Sequence, residues 1–450
     1  MRENASPDVL VGCEECGLVT VLPELAGGQK ATCPRCGHLL AKHISLPLQR
    51  PLAYGIACLI MLVLSISFPF MSFSVQGISQ EITLLHAAQM LSQFRNSLLA
   101  MLLLLTVVIL PAWYISTVLY LYWLAGRRCQ TTEPPQVSAF QKRLCRLMSV
   151  IEPWLMVDVF LIGVLVSLIK IASLADIGLG MSFWAFCVYT LLVVKCVSMV
   201  DRTWLWLQLE PMVPVPDVVP GDSHHSVNHV SCHCCAQLNP LPAPGTHARC
   251  VRCHGRLHPF NPRQSLHRSW ALLISAVVFF VPANLYPMMI TVSLGKEEGS
   301  TIMGGVMLLW QLGSYPIAMV IFLASIVIPL AKILALGWLY VNAQRVGSQR
   351  QAILQLRLYR MTELIGRWSM IDIFVVAILV ALVQLQNLMA IFPGPAALSF
   401  ACVVILTMLS AITFDPRLFW LDNRPVFQGT GAEPERSHPE LTHHQEKLHE

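Results

Sequence analysis

Long apolar runs alternate with polar connections from about residue 52 to residue 413. A run of about 20 residues can cross the ~30 Å hydrocarbon core of a bilayer as a helix. Eight such spans are expected, at 52–72, 98–124, 154–175, 181–200, 269–290, 315–341, 368–391 and 396–413. They form two groups of four, and the predicted fold class is an all-α polytopic membrane protein. Five regions follow: an N-terminal module (1–50), a first four-helix membrane module (51–200), a linker with a second small module (201–268), a second four-helix module (269–415) and a tail (416–450). From Arg424 the tail is rich in Glu, His and Pro and reads as disordered.

The pattern repeats. FPF around Pro69 matches LYPM around Pro287, and ILP at Pro111 matches VIP at Pro329. WLMVD at 154–158 matches WSMID at 368–372, and DRTWLW from Asp201 matches DPRLFW from Asp415. Pro69 to Pro111 and Pro287 to Pro329 are both 42 residues, while Asp158 to Asp201 and Asp372 to Asp415 are both 43. Four spans per half give both halves the same orientation, so these are parallel repeats about an axis near the membrane normal.

Composition agrees with this class, since the chain is 55% hydrophobic and 12% charged, with mean hydropathy +0.61. That is about half the charge of an ordinary soluble domain. Of the 30 Lys and Arg, 25 lie before the first span, in alternate connections, or after the last span. The positive-inside rule places those segments and both termini in the cytoplasm. This bias accounts for the net charge of +5 without a nucleic-acid partner. The first 50 residues are polar and cysteine-bearing, unlike a cleavable signal peptide, so the first span is expected to direct insertion.

Each half is preceded by two CxxC pairs, Cys13/Cys16 with Cys33/Cys36, and Cys232/Cys235 with Cys250/Cys253. Pairs at this separation can place four thiolates around a structural Zn²⁺ at about 2.3 Å, stabilising a ribbon too small to build its own core. Gly17 and Gly37 follow their knuckles, where a residue free to take positive φ lets the backbone turn round the sulfurs. Ala236 and His254 occupy those places in the second module, and Cys234 and nearby histidines are competing ligands. CxxC pairs can also act as dithiol switches. No thioredoxin-like pattern accompanies them here.

Five ionisable residues fall inside the expected spans: Asp158, Lys170, Lys195, Lys332 and Asp372. Charges at such depths are expensive and are candidates for transport or coupling roles. Depth pairs Asp158 with Lys195. Asp372 matches Asp158, but its nearest expected cation is Lys332, three residues after Pro329. Trp154 and Trp368 would share a helical face with the aspartates four residues on, which also suits structural ion pairs. Lys170 is about 18 Å along the helix from Asp158, too far to pair, and snorkels toward the opposite surface. Asp201 and Asp415 read as caps or as partners for Arg202 and Arg417. Prolines 69, 111, 287 and 329 are expected to bend helices.

No GxxxxGK[ST] loop or HExxH motif is present, and all 15 histidines lie outside the spans. These facts argue against an ATPase, a zinc protease and a bis-histidine cytochrome.

The chain resembles the paraquat-inducible protein A family. The likeness rests on Cys13, Cys16, Cys33 and Cys36, on QRP leading into the first span, on QEITLL at 80–85, on WLYV and GRWSMIDIFV, and on TFDPRL at 413–418. It runs from Cys13 to about Trp420, leaving out the central linker. The resemblance implies a bacterial inner-membrane protein working with a membrane-anchored MCE-domain partner that forms a tunnel across the periplasm, often with an outer-membrane lipoprotein, to move membrane lipids. The expected role is loading or extracting lipid, not enzymatic catalysis. Without a nucleotide site, energy would come from the proton gradient, a partner or the lipid gradient. A membrane redox protein and a non-transporting scaffold are the alternatives.

Overall fold

A computed structural model gives the three-dimensional structure. It describes residues 9–23, 25, 27–75, 78–83, 97–130, 137–172, 176–224, 226, 228–242, 248–293, 296–311, 313, 315–343, 345, 348–382, 384–385 and 389–420. Lys170 and Asp372 lie on described helices, but their side chains are outside the described set.

The chain opens with two β-hairpins, β1 (Val9–Gly12) with β2 (Val19–Leu22), and β3 (Lys30–Thr32) with β4 (Leu39–Lys42). Helix α1 (Gln49–Ser67) then runs about 28 Å at 1.5 Å per residue and gives way to strands β5 (Met71–Val75) and β6 (Ile78–Ile82). Next come α2 (Ser97–Leu104), a π-turn at Leu105–Ile109, and α3 (Leu110–Gln130). Pro111 lacks an N–H and crowds the preceding turn, and the wider π-turn absorbs that misfit. Helix α4 (Ala139–Ile151), a 3-10 turn at Glu152–Trp154, α5 (Val157–Ala172), β7 (Asp176–Leu179), α6 (Met181–Met199) and α7 (Arg202–Leu209) complete the first half.

The same order recurs. Strands β8 (His229–Ser231) and β9 (Leu238–Pro240) pair in the second cysteine module, and α8 (Pro262–Leu285) leads to β10 (Met289–Ser293) and β11 (Lys296–Ser300). Helices α9 (Ile302–Gln311) and α10 (Tyr315–Phe322) precede a π-turn at Leu323–Val327, two residues before Pro329 as the first is before Pro111. Then follow α11 (Ile328–Asn342), α12 (Gln349–Trp368), α13 (Ile371–Leu382), β12 (Gln384–Leu385), β13 (Met389–Pro393), α14 (Pro395–Thr413) and a 3-10 turn at Pro416–Trp420.

Among the described residues, seven helical segments are long and apolar enough to cross a membrane: 49–67, 100–129, 139–168, 181–199, 262–285, 318–342 and 395–413. The span expected at 368–391 takes a different form. It is the 12-residue α13, about 18 Å long, followed by strands, and Met389–Pro393 lies in a sheet rather than in a helix. The short sheets were not foreseen. In the first half β5 is central, between β6 and β7; in the second β10 lies between β11 and β13, and β12 joins β13. All pairings are antiparallel. Each sheet ties the end of its half's first helix to the strand just before the last.

Two glycines fix those corners. Gly180 N–H donates to Phe70 O at 3.2 Å and Gly394 N–H to Met288 O at 2.8 Å. A Cβ at either would overlap the carbonyl oxygen of Pro69 or Pro287. Gly180→Ala and Gly394→Ala are each expected to cost about 1–3 kcal/mol from overpacking, read as a lowered unfolding midpoint of the full chain in nanodiscs. Unchanged midpoints for both would refute this account.

Candidate functional site

The four CxxC turns share one backbone geometry. The N–H of the residue after each knuckle donates back to the first cysteine's carbonyl: Gly17 to Cys13, Gly37 to Cys33, Ala236 to Cys232 and His254 to Cys250, each at 2.9 Å. All four take positive φ, +71° and +70° for the glycines, 54° and 55° for Ala236 and His254. The second module was expected to be less regular. It makes the same turn, with non-glycine residues held in a left-handed conformation that costs an L residue about 1–2 kcal/mol.

These turns bring the sulfurs together. Cys13 Sγ lies 3.5 Å from Cys36 Sγ and Cys16 Sγ 3.5 Å from Cys33 Sγ; the corresponding distances are 3.6 Å for Cys232–Cys253 and Cys235–Cys250. Within each cluster all four lie within 4.8 Å of one another, and all eight residues are buried. A tetrahedron of 2.3 Å metal–sulfur bonds has edges of about 3.8 Å, so each cluster fits one ion. Hydrogen bonds from its three neighbours hold the Cys33 thiol well below its ordinary pKa, and Cys250 is lowered in the same way. A metal here would act as a closed crosslink.

The modules dock crosswise, which the sequence reading did not anticipate. The first module, which precedes the first half, rests on the second: Arg35 lies over the Trp420 ring at 4.5 Å, and Arg360 on α12 donates to Glu15 and to the Cys36 carbonyl at 3.2 Å. Burial works to raise the Glu15 carboxyl, but hydrogen bonds from His38 and Arg360 outweigh it and hold the group below its ordinary pKa. The second module rests on the first half. Arg252 is fully buried, donates to the carbonyls of Glu210 (2.8 Å) and Cys235 (3.0 Å), and faces the Trp206 ring at 5.8 Å. Lys142 on α4 pairs with Glu210 and approaches His254 at 3.2 Å. Arg35 and Arg252 hold the same place in CPRC and CVRC, and Trp206 and Trp420 end the repeated DRTWLW and DPRLFW. Those two repetitions were the available signal.

Of the two expected pairs of charges, Asp158 with Lys195 is not formed, and Asp372 with Lys332 falls outside the described side chains. WLMVD and WSMID each straddle a helix break: Trp154 closes a 3-10 turn and Trp368 closes α12, while Asp158 and Asp372 are the second residues of α5 and α13. The aspartates therefore sit in first turns, where the helix dipole favours negative charge, and the tryptophans belong to different elements. Lys195 is exposed, and among the described residues neither it nor Asp158 is in a salt bridge. Lys332, only 3% exposed, donates to Thr407 Oγ1 at 3.1 Å. It lines a cavity of about 300 Å³ formed by both halves, with Glu152 and Arg202 from the first and Glu363, Gly366 and Arg367 from the second. Arg202 pairs with Glu152. A Cβ on Gly366 would come within 2.8 Å of the Lys332 ammonium, so glycine leaves that nitrogen its room. The side chains of Asp372 and Lys170 lie outside the described set.

Asp201 caps α7 by accepting from Trp204 N–H at 3.0 Å, and Asp415 holds Arg417 Nε at 2.9 Å, the two roles the sequence offered them. Pro416–Trp420, assigned to the tail from the sequence, is a turn buried from Arg417 to Trp420 beside the first module; 421–450 lie outside the described residues.

Seven apolar helices among the described residues and two buried four-cysteine clusters that could each hold a metal ion define a multi-pass membrane protein with paired knuckle modules. The chain belongs to the paraquat-inducible protein A family, whose model matches residues 48–210 and 266–423. It is similar to the intermembrane transport protein PqiA of Escherichia coli K12, at 41% identity over 92% of this chain and 95% of that one. It is also similar to the lipophilic envelope-spanning tunnel protein A of the same organism, at 27% identity over 91% of this chain and 90% of that one. A probable intermembrane transport protein of Haemophilus influenzae matches at 27% over 93% and 97%. No solved structure matches.

The docking contacts predict unequal costs. Arg252→Ala leaves two buried carbonyls unpaired and should destabilise the full chain by about 2–4 kcal/mol. Arg35→Ala removes a more exposed cation–π contact worth about 0.5–1 kcal/mol. Equal shifts in unfolding midpoint would contradict the geometry.

Proposed function

We propose that this chain is the inner-membrane subunit of an intermembrane lipid transport system, loading or extracting lipid for a membrane-anchored MCE-domain partner that tunnels across the periplasm toward an outer-membrane lipoprotein. The observation that carries the reading is the chain-long likeness to a protein named for intermembrane transport. In this reading the chain forms two parallel four-helix modules, with both termini and both cysteine modules cytoplasmic. Helix α13 is then the shorter counterpart of α5 and counts as the eighth crossing.

The cavity between the halves gives transport a physical centre. A buried ammonium beside Thr407 is costly in a membrane unless a ligand, an anion or a proton-transfer step uses it. Coupling to the proton gradient through Lys332, Asp158 and Asp372 belongs to this proposal. Lys332→Met should abolish complementation of a null strain at unchanged protein level, and Asp158→Asn or Asp372→Asn should do so if protons drive transport. Normal complementation by all three variants would sink a functional role for these charges. Photocrosslinkers lining the cavity should capture lipid; their failure to do so while complementation persists would favour a scaffold.

Both clusters are assigned to structural Zn²⁺. All four sulfurs of each cluster lie within 4.8 Å of one another, as a metal tetrahedron needs, whereas a dithiol switch needs only the two sulfurs of one CxxC. Metal analysis of the purified chain should find about two zinc per chain, and Cys→Ser at Cys13 or Cys250 should remove about one. Metal-free protein with a cycling disulfide would support the redox alternative instead.

A further inference from the structure

Helices α4 and α12 carry the same exposed stripe. Phe140, Arg143, Leu147 and Val150 on α4 correspond, each at an offset of 214 residues, to Leu354, Arg357, Met361 and Leu364 on α12. At 100° per residue each set falls within an arc of about 80°. The apolar members are 41–65% exposed, and both arginines are exposed. The opposite faces are buried, with Lys142, Cys145 and Met148 on α4, and Leu356, Tyr359 and Thr362 on α12. Among the described residues, nothing covers the two exposed stripes.

Position and charge say what covers them. Each helix follows one membrane-length segment and runs, after a short break, into the next apolar helix. In the topology proposed above, both stripes lie at bilayer-surface depth, α4 being the start of the 139–168 segment ahead of its break at Glu152–Trp154. Neither arginine has an acidic partner within 4 Å among the described residues, α4 contains no acidic residue and α12 contains only Glu363. An arginine set among exposed large apolar groups suits an interfacial helix whose hydrocarbon side chains enter the acyl boundary while the guanidinium meets a phosphate. We propose that α4 and α12 are a matched pair of interfacial helices that bind anionic phospholipid in the leaflet on the cysteine-module side, with Arg143 and Arg357 as the phosphate contacts.

The test uses the full chain in nanodiscs of phosphatidylglycerol and phosphatidylcholine. Hydroxyl-radical footprinting should leave Phe140, Leu147, Leu354 and Met361 protected relative to exposed loop residues. Native mass spectrometry should show phosphatidylglycerol retention falling about fivefold for each arginine replaced in R143Q/R357Q, with phosphatidylcholine retention unchanged and R143K/R357K restoring most of the loss. Labelling of the four side chains at the rate of loop residues would overturn the proposal, as would unchanged phosphatidylglycerol retention in R143Q/R357Q. Protection seen only when a partner protein is co-purified would assign the stripes to that protein and overturn it equally. The footprint is read on the unsubstituted chain, so a variant that misfolds leaves the test intact.

Discussion

The close approach of α5 to α13 is the constraint on which the rest of the molecule depends. A Cβ on Gly163 would sit 3.0 Å from Phe374 Cβ, Phe160 and Phe374 meet edge to face at 5.5 Å, and Ser167 Oγ reaches the Val375 carbonyl at 3.4 Å. Phe160 and Phe374 hold matching places in the two halves, so the halves meet through corresponding residues. Lipid provides no hydrophobic drive for helices to associate, and small residues that admit close packing take its place. With the third helices fixed there, the cavity around Lys332 forms between the halves, and each cysteine module finds the opposite half within reach.

Cross-docking follows from that arrangement and gives the clusters a mechanical meaning. A four-cysteine turn can hold its own hairpins together, but the arginine in each second knuckle reaches outward, Arg35 to Trp420 and Arg252 to Trp206. Rigid local turns thereby become ties between halves that are otherwise joined by one linker and one helix seam. The strained backbone at Ala236 and His254 persists because hydrogen bonds and converging sulfurs over-determine it.

Much of this was legible in the sequence. Apolar runs located most of the membrane helices, and CxxC spacing gave both clusters residue by residue. Of the four aligned prolines, Pro111 and Pro329 marked the π-turns at 105–109 and 323–327, while Pro69 and Pro287 bend no helix and lie just past helix ends. Three things were not legible. The sheets escaped because Met389–Pro393 is as apolar as a span, and only pairing with Met289–Ser293 makes it a strand. Helices α4 and α12 fell in stretches read only as polar connections, although Ser138 with Gln141 and Ser348 with Gln351 form capping boxes at their starts. Depth alone paired Asp158 with Lys195, but depth does not fix rotation about a helix axis, and Lys195 faces outward.

Crosswise docking also sets an order of assembly. Glu15 and its partner Arg360 are separated by 345 residues. At 5–20 residues per second, the first module leaves the ribosome roughly 20–70 s before its resting place exists. During the first part of that interval it has only its own hairpins and cluster, until Ser198, which accepts from Lys42, and Asp222, which accepts from Val19, are made. The second module meets the opposite situation, since α4 and α7 are already made when it emerges. A self-sufficient knuckle, built on two glycines at Gly17 and Gly37, suits the module that must wait, and the strained pair at Ala236 and His254 belongs to the one that need not.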